Sequence, residues 1–291
     1  MTATDKPDFP ALPPISSRIP SAQTPNIAGG GQSAVKPRSF ATIRTIMALI
    51  LREMSTSYGR NPGGYLWAIL EPAAGIAIMT TIFAIGFRHP PIGTNFALFF
   101  ATGMVPFHMW QGLSQRVGAS LMFSKQLLSY PAVTYLDALI ARFVLNAVTM
   151  LLVNYIILVF IILVWDVPVS LRFGRIALGY IEILALAAGI GLINSFITGL
   201  LPVWGQIWSI ITRPLFLVSG ILFIYETVPS PYNDYLLWNP LVHAVATIRS
   251  GFYARYDANY ADPTFVFTVA AITGLIGLVG LHRFHKDILF R

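Results

Sequence analysis

The sequence predicts an all-α integral membrane protein in which an amphipathic helix precedes six membrane-spanning helices. Of its 291 residues, 55% are hydrophobic and only 11% are charged, whereas soluble domains carry about 25% charged residues. Several apolar stretches approach or exceed the roughly 20 residues that a helix needs to cross a bilayer. Together these observations exclude an ordinary soluble domain.

The segment before the first span divides into two parts. Residues 1–38 are rich in Pro, Ser, Thr, Ala and Gly and lack apolar periodicity, which predicts a disordered cytosolic tail. Residues 39–58 instead have apolar residues at helical spacing, namely Phe40, Ile43, Met47, Ile50 and Met54. Arg44 and Arg52 lie on the other side. This pattern predicts an interfacial helix with its cations near anionic headgroups, the alternative being an amphipathic helix packed on protein.

Residues 59–291 are predicted to form a six-span domain, which "GRNPGG" at 59–64 separates from the amphipathic helix. The spans cover residues 65–87, 96–118, 138–165, 176–201, 207–225 and 264–281. Between the last two, "PLVHAVATIRSGFYARY" has the apolar spacing of a short helix. We therefore expect a re-entrant helical segment at about 229–262, since such segments are tolerated where protein or water shields their backbone.

The distribution of cations predicts the orientation. With both termini inside, 14 of the 19 Lys and Arg residues lie on the inner side and 5 on the outer side. Cytoplasmic loops collect these residues in membrane proteins. Both termini are therefore predicted to be cytoplasmic, and the loop 119–137 faces the cytosol. The net charge of +7 needs no nucleic-acid partner to explain it.

The chain lacks the motifs of an enzyme. It contains no GxxxxGK[ST], HExxH or GxSxG sequence and no cysteine, so neither a Walker-type ATP site nor a Cys nucleophile is present. We expect no metal and no cofactor of its own. The intramembrane acids Glu71 and Glu182 are isolated in the sequence, whereas ion-coupled transporters usually have charged networks at this depth.

Several short segments resemble the membrane subunits of ABC-2 type exporters. They are "GYLWAILEP" (64–72), "LLSYPAVTYLDALIARF" (127–143), "RPLFLVSGILFIYETVP" (213–229) and "NPLVHAVATIRSGFY" (239–253). The first two look closest to the branch that exports capsular polysaccharide, O-antigen and teichoic acid. The resemblance covers about residues 40–291 and rests on the order of these elements as much as on the motifs themselves.

The resemblance implies a homodimer bound to two copies of a cytosolic P-loop ATPase, which would hold the ATP and Mg. In such exporters a coupling helix between the second and third spans docks on the ATPase. Here it corresponds to about residues 119–130, with docking residues Ser124, Lys125, Gln126, Leu127 and Leu128. A solvated loop without a partner is the alternative. The apolar residues of the segment favour docking.

The resemblance also implies a polymer path along the first and fifth spans. Trp67 and Phe223 are candidates to contact sugars, although aromatic residues also collect at membrane interfaces. On the outer side Arg88, Arg249 and Arg255 could meet an acidic polymer or pair with nearby acids. Residues that could receive an anionic lipid headgroup at the inner side are Arg44, Arg52 and Arg60.

The sequence and the resemblance therefore predict export of a lipid-linked, capsular polysaccharide across a bacterial inner membrane. A periplasmic or outer-membrane export machine is a possible further partner. The alternatives are export of O-antigen, teichoic acid, a lipid or a drug by the same family, an ion-coupled transporter, and a scaffold without an ATPase. An ion-coupled transporter would require a charged network in the membrane that the sequence does not reveal.

Overall fold

The computed structural model describes residues 41–57, 64–124 and 134–290, which belong to one compact unit, Phe40–Arg291. Every regular element in these residues is helical. The helices are α1 (Ala41–Ser57), α2 (Gly64–Gly86), α3 (Phe96–Gly118), α4 (Ser120–Ser124), α5 (Tyr135–Val164), α6 (Phe173–Leu200), α7 (Trp204–Leu217), α8 (Tyr232–Leu236), α9 (Pro240–Phe252) and α10 (Pro263–Phe290). The predicted tail of residues 1–38 lies outside the described residues.

Helix α3 is the centre of the protein. It begins where the Asn95 side chain accepts a hydrogen bond from the Leu98 backbone N–H at 3.1 Å, a regular N-cap arrangement. Side chains along it, such as Phe99, Phe107 and Trp110, are almost fully buried. Helices α2, α5, α6 and α9 pack around it.

Glycines allow α6 and α10 to approach closely. A Cβ atom on Gly277 of α10 would lie 2.5 Å from the backbone of Leu192 and Ile193 in α6. One on Gly189 of α6 would lie 2.3 Å from the carbonyl oxygen of Ala270 in α10. Small residues are typical of helix interfaces in membranes because they let backbones approach. The backbones of α6 and α10 are therefore in close contact.

Helix α9 is buried along almost its entire length, from Leu241 to Phe252. One glycine on each helix makes room for an isoleucine of the other, so α6 and α9 pack closely. Ile248 of α9 packs on Gly179 of α6, and Ile176 of α6 packs on Gly251 of α9. The sequence predicted a short helix within the 229–262 segment, and the structure places that helix inside the helical bundle.

Four helices of the described chain are long and apolar enough to cross a membrane. Their apolar segments are Leu66–Gly86, Tyr135–Val164, Phe173–Leu200 and Pro263–Phe284. They coincide with the first, third, fourth and sixth predicted spans. Helix α3 has the length of a span but carries polar residues and is mostly covered by protein.

The fifth predicted span, 207–225, differs from the structure. Helix α7 ends at Leu217 and has 14 residues, about 21 Å at 1.5 Å per residue, which is short of the roughly 30 Å hydrocarbon core. Gly220 then adopts a φ of +70°, which an α-helix cannot contain. Ser219 and Gly220, which were predicted to lie inside the span, therefore lie in a turn beyond the helix.

The start of α5 agrees with the sequence. Thr134 is the N-cap, and Asp137 accepts hydrogen bonds from the Thr134 backbone N–H at 3.0 Å and its hydroxyl at 2.8 Å. This capping box provides partners for backbone donors at the helix start. Asp137 therefore lies in the first turn of the helix, which starts three residues earlier than the third predicted span.

Candidate functional site

Residues 218–224, which we call the 218–224 turn, carry backbone carbonyls into the interior, and Arg249 satisfies them. Nη1 of this α9 residue donates to the Gly220 carbonyl at 2.5 Å and the Phe223 carbonyl at 3.1 Å. Nη2 donates to the Ile221 carbonyl at 2.8 Å and the Phe99 carbonyl at 3.4 Å. Only 2% of Arg249 is exposed. Its planar group suits such convergent acceptors.

The packing around Arg249 leaves room for its guanidinium. The group lies over the Phe99 ring at 4.2 Å from the ring centre, a cation–π arrangement. A Cβ atom on Gly103 of α3 would lie 2.8 Å from Nη2, so glycine at this position makes space for the cation. Arg249 therefore joins α3, α9 and the 218–224 turn.

Asn239 provides a second connection to the same turn. Its Oδ1 accepts a hydrogen bond from the Leu241 backbone N–H at 3.0 Å and so caps α9. Its Nδ2 donates to the Val218 carbonyl at 3.1 Å and the Ser219 hydroxyl at 3.2 Å. The motifs that contain Ser219, Gly220 and Asn239 thus meet in space and fix the end of α7 to the start of α9.

This geometry changes the interpretation of two predicted path residues. Arg249 was predicted to meet a polymer on the outer side, but its guanidinium is buried among carbonyls and holds the fold. Phe223 is half-buried and contributes its carbonyl to the same group. By contrast, Arg88 and Arg255 are exposed, and Trp67 of α2 is 65% exposed.

One of the outer acids has a different partner from those the sequence suggested. Asp257 accepts a hydrogen bond from Nη1 of Arg172 at 2.8 Å. The other terminal nitrogen of Arg172 donates to the Ala254 carbonyl at 2.6 Å. This exposed pair ties the loop before α6 to the segment after α9.

Helix α1 presents two distinct faces. Ile43, Met47 and Leu51 are each more than half exposed, while the opposite face packs on α5. There Glu53 pairs with Nε of Arg142 at 3.5 Å, and both side chains are largely buried. Helix α1 therefore combines an exposed apolar stripe with a face that packs on protein.

The residues proposed to receive a lipid headgroup lie in or after α1. Arg44 and Arg52 are exposed on the helix surface, whereas Arg60 lies outside the described residues. The predicted docking residues are divided in the same way. Ser124 is the last residue of α4 and is 7% exposed, whereas Lys125, Gln126, Leu127 and Leu128 lie outside the described residues.

Helix α4 leads directly into that docking segment and is anchored to α5. The Ser120 hydroxyl donates to the Ala138 carbonyl at 3.4 Å. The guanidinium of Arg142 lies 4.3 Å from the centre of the Phe123 ring. Because Arg142 also pairs with Glu53, one cation of α5 contacts both the helix before the first span and the helix before the docking segment.

A polar cleft of about 270 Å³ opens between α2, α3 and α5. Its polar lining residues are Glu71, His108, Gln111, Gln115, Arg116 and Asn154. Arg116 donates to Oδ1 of Asn146 at 2.6 Å, and Gln111 donates to the Thr212 hydroxyl of α7 at 3.1 Å. The cleft lies in the half of the bundle where α2 begins and α3 ends, which we call the predicted inner half.

A second cleft of about 200 Å³ lies at the end of the same half, between α3, α6 and α7. Gln115 lines both clefts. Asn194 and two indole rings, those of Trp204 and Trp208, line the second one. Nε1 of Trp204 donates to Oδ1 of Asn194 at 2.9 Å. Gln115 therefore lies between a cleft that contains Asn154 and a cleft that contains Asn194 and two indole rings.

Sequence reasoning missed this convergence. It treated Glu71 as an isolated acid and gave Gln115, Asn154 and Asn194 no role. One feature could have revealed them: polar side chains inside apolar spans are expensive and usually face the bundle interior or a water-filled cavity. Their meeting point, however, depends on how three helices pack, which the spacing along one helix does not contain.

Comparison with known proteins agrees with the order of these elements. The family model described as ABC-2 type transporter matches residues 44–253. The match begins within α1 and ends just after α9, so it includes both clefts and the Arg249 connections.

Individual relatives resemble the chain over most of their length. The polysialic acid transport protein KpsM of Escherichia coli is 29% identical over 245 residues, which cover 84% of this chain and 95% of that protein. The capsule polysaccharide export inner-membrane protein CtrC of Neisseria meningitidis serogroup A is 27% identical, covering 84% and 92% respectively. BexB of Haemophilus influenzae, with the same descriptive name, is 27% identical and covers 89% and 98%.

Proposed function

The chain belongs to the ABC-2 type transporter family, and from this premise we propose that it is the permease subunit of an ATP-driven exporter of capsular polysaccharide. The observation that supports this most is the similarity, over most of both chains, to relatives that are named as capsule polysaccharide export inner-membrane proteins. The absence of a Walker motif from the sequence is in keeping with a separate subunit that hydrolyses ATP.

The proposed architecture has six membrane crossings with both termini in the cytoplasm. In addition to the four apolar helices, α3 would cross at the centre, and α7 with the 218–224 turn would form the fifth crossing. The turn can lie at membrane depth because Arg249 and Asn239 provide hydrogen-bond partners for its backbone. Irregular backbone is tolerated there when protein covers it.

The chain would act as a homodimer with two ATPase subunits docked through the segment that includes Leu127 and Leu128. Closure of the ATPases would move this segment, and α4 would pass the motion to α5 as a shift of packed helices. The polymer would travel between two copies, past Trp67 and Phe223 on the inside and Arg88 and Arg255 on the outer side. Its lipid end would be received near Arg44, Arg52 and Arg60.

Genetic complementation tests the function. Deletion of the gene should leave polysaccharide inside the cell, and the intact gene should restore it to the surface. The substitutions Leu127→Asp and Leu128→Asp should abolish both export and co-purification of the ATPase, because charges replace an apolar docking surface. Leu171→Asp is the matched control, since Leu171 is 40% exposed in a predicted outer loop. Normal export without the gene would exclude the proposed function.

The orientation can be tested with single cysteines because the natural chain has none. A membrane-impermeant maleimide should label Arg88→Cys and Arg255→Cys in intact spheroplasts, and Arg44→Cys only after lysis. All three positions are exposed, so the difference reports the side of the membrane. Labelling of Arg44→Cys before lysis would contradict cytoplasmic placement of α1.

A further inference from the structure

Polar atoms without partners collect around Gln115. Among the described residues, no hydrogen-bond partner is found for Oδ1 of Asn154, Nδ2 of Asn194 or Nε1 of Trp208. Asn154 lines the first cleft, and Asn194 and Trp208 line the second. Asn154 and Asn194 are only 2% and 3% exposed. Three buried polar groups therefore face the two clefts that share Gln115.

These groups point to a bound molecule because buried polar atoms are nearly always paired. An unpaired buried group is destabilising, and more so in a membrane protein, where few waters compete for it. The alternative partner is water, which the clefts can also admit. The rest of the lining favours an organic ligand over water, because it includes large apolar rings as well as polar atoms.

The lining selects the chemistry of the ligand. Asn194 and Trp208 offer donors, Asn154 offers an acceptor, and Gln115 offers both. A ligand with hydroxyl groups can donate and accept at the same site. The charged residues Glu71 and Arg116 have opposite signs, so the first cleft does not favour an anion over a neutral molecule.

The rings of Trp204 and Trp208 provide flat apolar surfaces beside these polar atoms. The two rings are stacked with their centres 6.4 Å apart, and Trp208 is 6.1 Å from Trp110 of α3. An indole presents an apolar body with one polar edge. A sugar ring has the complementary pattern of apolar C–H faces and a hydroxyl edge. The clefts, at about 270 and 200 Å³, suit a small unit more than a long chain.

We propose that the two clefts form a saccharide-binding site in the predicted inner half, with Gln115 at its centre and Asn154, Asn194 and Trp208 as further contacts. This inference rests on the proposed function and names the residues at which the chain would contact the sugar polymer. The site would hold sugar units of the polymer after they leave the cytosol and before they enter the path between two copies.

Site-specific photocrosslinking tests the site in intact cells. Benzoylphenylalanine replaces Gln115 in one variant and Ser209, another residue of the second cleft, in a second variant. The control is Val148→benzoylphenylalanine, because Val148 of α5 is 62% exposed and lines neither cleft. Irradiation of cells that make tritium-labelled capsular polysaccharide should give a labelled adduct at the cleft positions and not at Val148.

The outcomes are distinct. A labelled adduct at either cleft position that is missing in cells unable to make the polymer supports the site. Adducts with lipid alone, equal labelling at Val148, or no adduct at both cleft positions overturn it, provided that the wild-type chain restores export. If surface polysaccharide does not depend on the chain at all, the proposed function fails, and the site fails with it.

Matched substitutions provide a second readout. Gln115→Leu keeps the size of the side chain but removes its hydrogen bonds, and we expect surface polysaccharide to fall about two- to tenfold. Gln206→Leu is the same change at an exposed position of α7 and should have no effect. Unchanged export in Gln115→Leu would contradict the proposal.

Glu71 distinguishes sugar binding from proton coupling. Glu71→Gln removes the titratable group but still donates and accepts hydrogen bonds, so it should retain most export, while Glu71→Leu should lose it. A proton-coupled mechanism instead requires a titratable group. Equal loss in Glu71→Gln and Glu71→Leu would therefore overturn the assignment of the cleft to sugars.

Discussion

Replacement of Arg249 by methionine gives the sharpest test of the interior. The substitution keeps an unbranched side chain but removes the guanidinium that donates to four carbonyls. The carbonyls of Gly220, Ile221 and Phe223 would then lose their closest side-chain donor. Because Gly220 has already left helical geometry, these carbonyls cannot return to an α-helical ladder without rebuilding the 218–224 turn.

The magnitude follows from the number and length of the bonds. Three of the four are 3.1 Å or shorter, and a hydrogen bond to a charged group contributes about 1.5–3 kcal/mol. Release of the buried cation from its desolvation offsets part of this sum. Each buried carbonyl that is left without a donor costs about 1–3 kcal/mol, so the net loss is about 3 kcal/mol. We expect Arg249→Met to lower the free energy of unfolding by a similar amount.

Thermal unfolding of the detergent-solubilised chain measures this loss. At about 2–4 °C per kcal/mol, a loss of about 3 kcal/mol corresponds to a fall in Tm of about 6–12 °C. Arg255→Met is the matched control, because Arg255 is exposed and undergoes the same chemical change. Hydrogen exchange should increase in the 218–224 turn of Arg249→Met and stay unchanged in the control.

A Tm for Arg249→Met that equals that of Arg255→Met would refute the reasoning. It would mean that the carbonyls of the turn find water or other donors at no cost. Loss of export with unchanged stability would point instead to the polymer contact that the sequence suggested for Arg249.

Two further substitutions test other contacts. Gly277→Ala should destabilise the chain by about 1–3 kcal/mol, the usual range for overpacking, because its Cβ would lie 2.5 Å from the α6 backbone. Gly174→Ala is the control, since a Cβ there would have nothing within 4 Å, and it should not destabilise the chain. Equal Tm values for the two variants would contradict the close packing of α6 and α10. Glu53→Ala leaves Arg142 without its carboxylate partner, so limited proteolysis should cut α1 faster than in wild type; an unchanged rate would show that apolar contacts alone hold α1 on α5.

The sequence was sufficient to predict the elements whose cause is local. The spans that became α2, α5, α6 and α10 follow from hydropathy and length. A short helix at the position of α9 was also predicted, because "PLVHAVATIRSGFYARY" has helical apolar spacing.

The residues that depend on packing could not be placed in this way. Arg249 has the composition of a surface cation, and only the three-dimensional path of the 218–224 turn shows why it is buried. The end of α7 at Leu217 was missed because the apolar sequence continues through Phe223, and hydropathy does not distinguish a helix from a protected turn. The meeting of Gln115, Asn154 and Asn194 needs three helices at once.

Helix α2 has a consequence for the biosynthesis of the protein. Only 6% of its most apolar stretch is buried within the chain, and it is synthesised before the other three apolar helices. Lipid can therefore surround it before any later helix exists, and little of its surface must be stripped of lipid when α3 arrives. Among the four apolar helices of the described chain, α2 therefore depends least on later helices to cover its surface.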